Sequence, residues 1–173
     1  MKNFLVTLIG AIVFISCANN PQFVWVVGTG QASAKVGDSL VNFNINLSSN
    51  NLNAQQEGYN FSNFTYMSLN GTSNNGAFKI VLSTELKPGL VGSYPLNAGY
   101  TFGEQFASIS RGNSYYVTDS TYTGILTITT YDPQLEIISG NFHFTGVLNS
   151  TNSDTEVVSN GGFIVNMSIS IQQ

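Results

Sequence analysis

Apolar and polar residues alternate along most of this 173-residue chain. Val41, Phe43 and Ile45 alternate with asparagines, and the pattern recurs over Phe78–Leu82 and, at its greatest length, over Phe163–Ile171. Successive side chains of a β-strand point to opposite faces of a sheet, so this period of two predicts half-buried strands. Ile125–Thr130 is rich in β-branched residues, which strands also favour.

Turn-forming residues separate these runs and mark the places where the chain reverses. The clearest are Gly37-Asp38, Asn74-Asn75-Gly76, Arg111-Gly112-Asn113 and Asp132-Pro133. Gly161-Gly162 interrupts the last alternating run, which predicts a β-bulge. Asn50–Gly58 is predicted to form no more than a short helical turn, and Glu85–Asn97 is predicted to be the longest irregular connection.

Short strands joined by short turns are typical of sandwiches and barrels. We therefore predict an all-β fold: a single antiparallel β-sandwich or a partly open β-barrel of about eight to ten strands. This domain would occupy residues 25–173 and follow an N-terminal signal helix.

The first residues have the pattern of an export signal. A positive head, Met1-Lys2-Asn3, precedes an apolar run that ends at Ser16 and Cys17. This run is about a dozen residues long, whereas a membrane-spanning helix needs roughly 20. The pattern resembles a bacterial lipoprotein signal, although Phe14 stands where Leu, Val or Ile is usual. We predict a signal peptide over residues 1–16, lipid attachment at Cys17 and a tether over residues 17–24. A secreted protein with Cys17 as a free thiol is the alternative.

Composition narrows the class of protein. Only 8% of residues are charged, against a usual ~25%, and the aromatic content is 12%, which together favour a folded domain over a disordered chain. The net charge of −4 argues against nucleic acid as a partner, because nucleic-acid binding requires a basic surface. Cys17 is the only cysteine, so no disulfide can form within the chain.

The second half of the chain carries a series of strand motifs. It includes Tyr115–Ser120, Tyr122–Ile128, Ile138-Ser139-Gly140-Asn141-Phe142-His143-Phe144 and a final strand that opens with Asn160-Gly161-Gly162-Phe163. The series resembles a family of uncharacterised lipoproteins from Bacteroidota. The resemblance implies an all-β domain anchored at the outer membrane and indicates no active site. The neutral tether Ala18–Pro21 favours the periplasmic face over the cell surface. Asp38-Ser39-Leu40 and Asp119-Ser120-Thr121 resemble O-glycosylation motifs of such organisms, and a plain turn is the alternative for each.

Candidate chemistry is sparse, and we predict no catalytic residue, no metal site and no cofactor. His143 is the only histidine, and alternation with Phe142 and Phe144 places it on the solvated face. Gly28-Thr29-Gly30 lacks the third glycine of a dinucleotide loop, so a turn between early strands is the better interpretation. The candidate acids are scattered and are predicted to be surface or turn residues: Glu104, Asp119, Asp132, Glu136, Asp154 and Glu156. Asn152, Asp154 and Glu156 could also contribute oxygen ligands to calcium.

These observations favour a non-catalytic cell-envelope lipoprotein that acts as a binding or assembly module. Its partners would be the membrane, through the lipid, and a glycan, lipid or protein ligand. The alternative is a hydrolase that acts on envelope or dietary glycan or lipid, through carboxylates that folding brings together. A structural protein whose strand edges pair with a partner is a third hypothesis.

Overall fold

A computed structural model of the chain describes residues 22–54, 66–85, 90–99, 105–149 and 154–172. Those ranges contain no helix, and hence none long and apolar enough to cross a membrane. They form ten strands: β1 (Gln22–Val36), β2 (Ser39–Ala54), β3 (Tyr66–Ser73), β4 (Phe78–Glu85), β5 (Gly92–Leu96), β6 (Phe106–Arg111), β7 (Ser114–Val117), β8 (Gly124–Asp132), β9 (Ile137–Leu148) and β10 (Thr155–Gln172).

Eight of these strands close into an antiparallel barrel. The order is β10-β1-β2-β3-β4-β6-β7-β9, and pairing of β9 with β10 completes the ring. Strands β8 and β5 lie outside the ring and extend the sheet from the edge of β9 that β7 also uses. The all-β prediction is confirmed, and of the two predicted architectures the chain forms the barrel.

The predicted turns lie between the predicted strands. Gly37 has φ of 56°, a left-handed conformation that glycine adopts without steric cost, and it reverses the chain between β1 and β2. Turns at Asn74–Ala77 and Gly112-Asn113 join β3 to β4 and β6 to β7. Because all neighbouring strands are antiparallel, these three turns and the β9–β10 connection lie at one end of the barrel, here called the turn end. Gln22, where β1 begins, lies at the opposite end.

Three predicted segments differ from the structure. Gly28-Thr29-Gly30, predicted as a turn between early strands, lies inside strand β1. Glu85–Asn97 contains strand β5, which pairs with β8 from Gly92 to Leu96, so part of this segment is not irregular. Proline at position 95 hid this strand, and an edge strand tolerates proline because its outer N–H groups need no ladder partner. Asn50–Ala54 continues β2 as extended chain instead of forming a helical turn.

The N-terminal predictions fall largely beyond these ranges. The signal peptide over residues 1–16, Cys17 and the tether up to residue 21 lie outside the described residues. Strand β1 begins at Gln22, so the last three residues of the predicted tether are the first three of the strand.

The apolar face of every strand points into one core. The core includes Phe43, Leu69 and Phe144, each no more than 2% exposed. The two outside strands contribute to the same core through Leu126 and Ile128 of β8 and Tyr94 and Leu96 of β5. Full burial of such side chains stabilises the fold by about 1.5–3 kcal/mol each. The buried Tyr94 hydroxyl donates to the Leu90 carbonyl at 2.6 Å, which satisfies its one polar group.

Candidate functional site

The outer face of the barrel wall at β8, β9 and β10 carries a cluster of exposed polar and apolar side chains. His143 on β9 is exposed, as its alternation with two buried phenylalanines predicts. Ile125 on β8 pairs directly with His143, and Thr127 pairs with Asn141. Thr145 of β9 pairs with Val157 of β10 in the same outward layer. Side chains opposite each other in such pairs lie about 4.5–5.5 Å apart, so they form one continuous surface.

A β-bulge interrupts β10 beside His143. On the β9 side, Phe144 pairs with Val158 while Phe142 pairs with Gly161, which leaves one extra residue in β10. The pairing with β1 shifts over the same stretch. Asn160 lies within the bulge and has φ of 50°, a left-handed conformation that asparagine tolerates better than most residues. The predicted irregularity at Gly161-Gly162 is thus confirmed, with the shift just before Gly161.

The bulge lies in a groove across the outer wall, here called the outer groove. One part has a volume of about 600 Å³ and runs from Ile125 and Thr127 past His143 to Ser159 and Asn160. An adjoining part of about 490 Å³ lies over β10, β1 and β2, and includes Gln31, Asn42, Asn44 and Asn74. Ser33 and Gly162 line both parts, so the two form one band across five strands.

Gly162 forms the floor where the two parts of the groove meet. A Cβ built at this position would have its nearest neighbours at 3.8 Å, the Asn141 side-chain oxygen, and 4.0 Å, the Gly140 carbonyl oxygen. These are ordinary contact distances. A side chain would therefore fit at this position, and the groove is open here because glycine has none. The preceding residue, Gly161, faces the core and has no such space, because a Cβ on it would lie 2.5 Å from the Phe142 ring.

The described residues that line the outer groove include no Asp, Glu, Lys or Arg. Their outward side chains are amides and hydroxyls, together with His143 and three exposed aliphatic residues: Ile125, Val157 and Ile164. At the turn end of the groove the Asn44 side-chain amide donates to the Asn74 side-chain oxygen at 3.2 Å, which orients both groups. The groove can therefore form hydrogen bonds in both directions without presenting a charge.

The described carboxylates do not line the groove, and several of them form hydrogen bonds at turns. Asp119 accepts hydrogen bonds from the Thr121 and Tyr122 N–H groups at 2.7 and 2.6 Å, and Asp132 accepts from Gln134 and Leu135 at 2.9 Å each. Glu136 is exposed with φ of 55°. The prediction that these acids are turn or surface residues is confirmed for Asp119, Asp132 and Glu136, while Glu104 and Asn152 lie outside the described residues. The described ranges contain no group of three or more acidic, histidine or cysteine residues able to hold a metal.

Tyr116 and Asp154 form a polar contact at the turn end. The Tyr116 hydroxyl donates to the Asp154 carboxylate at 3.0 Å, and this hydrogen bond, with burial and the nearby Glu156 charge, raises the pKa of Tyr116. Of the two adjacent tyrosines, Tyr116 is buried in the core at 8% exposure and Tyr115 is half-buried on the opposite face.

The two motifs that resemble glycosylation sites lie on the surface. Asp38, Ser39 and Leu40 are exposed at the β1–β2 turn, with Leu40 71% exposed. Ser120 and Thr121 are also exposed, and Asp119 beside them closes a turn through its side chain. The hydrogen bonds of the turn therefore account for Asp119 without glycosylation of the neighbouring residues.

Strand β10 offers only part of an open edge. It is paired with β9 as far as Asn166 and with β1 as far as Gln172. Beyond Asn166, the Met167 N–H donates to the Glu136 carbonyl at 2.6 Å, and no described strand lies on that side of residues 168–172.

The outer groove was not foreseen from the sequence. Its residues come from β8, β9, β10, β1, β2 and the β3–β4 turn, and only ring closure brings β1 beside β10. The one sequence signal was Asn160-Gly161-Gly162, a break in an otherwise regular strand. Compared with protein-family models and with curated proteins, the chain shows no match to either.

Proposed function

We propose that this protein is a non-catalytic, lipid-anchored module of the cell envelope and that the outer groove is its ligand-binding site. The observation that carries the proposal is the groove itself, which crosses five paired strands and is lined by their outward polar side chains. Its two parts, about 490 and 600 Å³, fall within the roughly 300–1,000 Å³ of small-molecule sites.

The chemistry of the lining supports binding over hydrolysis. Amide and hydroxyl side chains hydrogen-bond a ligand without reacting with it, and His143 is the one imidazole among the residues described as lining the groove. Glycoside and ester hydrolysis need a carboxylate pair, or a nucleophile and histidine oriented by a carboxylate. The described carboxylates with assigned hydrogen bonds are engaged at turns, away from this lining.

The predicted lipid at Cys17 would place the barrel at the outer membrane, facing the periplasm. From Cys17 to Gln22 the extended chain can span at most about 18 Å, so the lipid would hold the β1 start close to the bilayer. The turn end, with Asn42 and Asn74 of the groove, would then point away from the membrane. This arrangement leaves the groove open to ligands in the surrounding space.

The anchor is tested by cell fractionation of the wild type and Cys17→Ala. We expect the wild type to be a mature-sized band in the membrane fraction, and the variant to remain unprocessed at this site. Stable anchoring requires two lipid chains or their equivalent, which the thiol-dependent modification would supply. A mature-sized Cys17→Ala band that still fractionates with membranes would refute the lipid anchor.

The binding site is tested by native mass spectrometry of the full chain, purified from its own envelope. We expect a bound species on the wild type that is lost from Gly162→Val, because valine fills the floor shared by both parts of the groove. Ser48→Val, on the same outer face but outside the groove, is the matched control and should retain the species. A bare wild-type protein, or a species that persists on Gly162→Val, would contradict the proposed site.

A further inference from the structure

We infer that the outer groove binds an uncharged, elongated oligosaccharide that lies across strands β8, β9, β10, β1 and β2. This inference rests on the proposed function and specifies the class of ligand. It is carried by three features of the groove: the neutrality of its polar groups, the apolar residues placed along it, and its direction relative to the strands.

Neutrality is the first feature. The polar side chains along the groove are amides, hydroxyls and one imidazole, and each amide offers both donors and an acceptor. A sugar hydroxyl also donates and accepts, so the two sets of groups are complementary. A phosphorylated or uronate-rich ligand would call for Arg or Lys, and a cationic ligand would call for Asp or Glu. Neither kind of residue lines the described groove.

A second neutral row lies beside the groove, on the side away from Lys35, which pairs with Ser159. Asn166, Thr29, Asn46 and Asn70 form one cross-strand row over β10, β1, β2 and β3. All four are exposed, and cross-strand neighbours in such rows lie about 4.5–5.5 Å apart. This row runs parallel to the groove and widens the neutral surface beside it, whereas the groove row itself leads past Thr72 on β3 to the exposed Lys79 on β4.

Apolar contacts are the second feature. Ile125, Val157 and Ile164 are 40%, 49% and 52% exposed, and each lines the groove. Ile125 lies on β8, and Val157 and Ile164 lie seven residues apart on β10, so they provide separate apolar contacts instead of one apolar pocket. A sugar ring presents C–H groups on its faces and hydroxyls at its edge. Such rings can cover these aliphatic side chains while their hydroxyls reach the amides beside them.

Direction is the third feature. Adjacent strands lie about 4.8 Å apart, so a band over five strands extends about 19 Å. A ligand that fills it is longer than a single sugar ring. The backbone groups below it are already engaged, since β9, β10 and β1 each have hydrogen-bonded strands on both sides. An extended peptide binds sheets chiefly by pairing its backbone with a free edge, which this surface does not offer.

The test measures binding of named saccharides to the full chain in detergent by isothermal titration calorimetry. The neutral probes are hexasaccharides of glucose, mannose, xylose and N-acetylglucosamine, each in its common linear linkage. The charged probes are hexagalacturonate and a heparin hexasaccharide. We expect at least one neutral probe to bind and both charged probes to fail. Gly162→Val should weaken the binding at least about tenfold by excluding ligand from the groove floor, and Ser48→Val should leave it within about twofold.

Failure of all neutral probes, equal binding of the charged probes, or wild-type affinity in Gly162→Val would each overturn the inference. Thermal unfolding of each variant verifies that it is folded, and Gln31→Ala replaces Gly162→Val if the latter is not. The outcomes also separate this inference from the proposed function. A Gly162-dependent ligand in native mass spectrometry that is not a saccharide would refute the oligosaccharide and leave the binding site in place.

Discussion

The two faces of strand β9 differ in exposure and in the kind of side chain that they carry. Phe142 and Phe144 point inward and are 3% and 1% exposed, whereas His143 between them is exposed in the outer groove. The inner face is closely packed and its residues stabilise the ring, while the outer face is open and neutral. Residues one position apart therefore carry separate tasks, so stability and binding should respond to different substitutions.

The largest expected effect comes from emptying the inner face. Phe144→Ala should lower the free energy of unfolding by about 3–5 kcal/mol, because it removes a fully buried ring and leaves a cavity. Urea denaturation monitored by circular dichroism measures this loss. A loss below about 1 kcal/mol would mean that the wall at β9 is not closely packed.

A smaller effect, with its own control, comes from two adjacent glycines in β10. Gly161→Ala should destabilise the barrel by about 1–3 kcal/mol, since the new methyl would lie 2.5 Å from the Phe142 ring and 2.6 Å from its carbonyl oxygen. Gly162→Ala has open space and should change stability by less than about 0.5 kcal/mol. Equal effects of the two substitutions, measured by thermal unfolding, would contradict the assignment of these residues to opposite faces.

On the outer face, His143→Ala should change stability by less than about 0.5 kcal/mol, because the side chain is exposed. The substitution should instead lower the affinity for the ligand, measured with the same saccharide probes as for Gly162→Val. Ser48→Ala, exposed on β2 and outside the groove lining, is the control for a general change of the outer face. If the substitution lowered the free energy of unfolding by several kcal/mol, His143 would be a structural residue and not a part of the binding surface.

The smallest effect concerns pH and the Tyr116–Asp154 hydrogen bond at the turn end. The raised pKa of Tyr116 means that the folded protein keeps the phenol proton above pH ~10, where the unfolded chain has lost it. The contribution of this group to stability should therefore be fully present and constant at neutral pH, and should be lost as pH rises above about 10, so that stability falls. Tyr116→Phe should reduce the slope of that fall without abolishing it, since burial also raises the pKa of Tyr131. Alkaline denaturation curves with an unchanged slope would contradict this role for Tyr116.

Local sequence patterns were sufficient for the strands and most of their turns. The alternation Val41–Ile45 appears as buried and exposed residues of β2, and Gly37 and Gly112 mark two of the observed reversals. The errors have local causes as well. Strand β5 was hidden by Pro95, and the polar composition of Asn50–Ala54 gave no sign that β2 continues through it.

Predicting the outer groove would have required knowing which strands are neighbours. Ser33 and Gly162 are far apart in sequence, yet they pair directly across β1 and β10. Pairing partners depend on how the whole ring closes, and the alternating pattern of a strand does not specify which strand lies beside it. The two adjacent glycines suggest the bulge at Asn160. They do not indicate which residues of β9 the bulge faces.

The sequence by itself determined that this is an all-β domain, which side of each strand is apolar, and that its surface is nearly uncharged. Those properties follow from the residue types and their period of two, which act locally. Only the tertiary structure decided that the sheet closes as a barrel, that β8 and β5 lie outside the ring, and that amide and hydroxyl side chains from five strands share one groove. Closure depends on the pairing of strands remote in sequence, and it is this pairing that converts scattered polar positions into a binding surface.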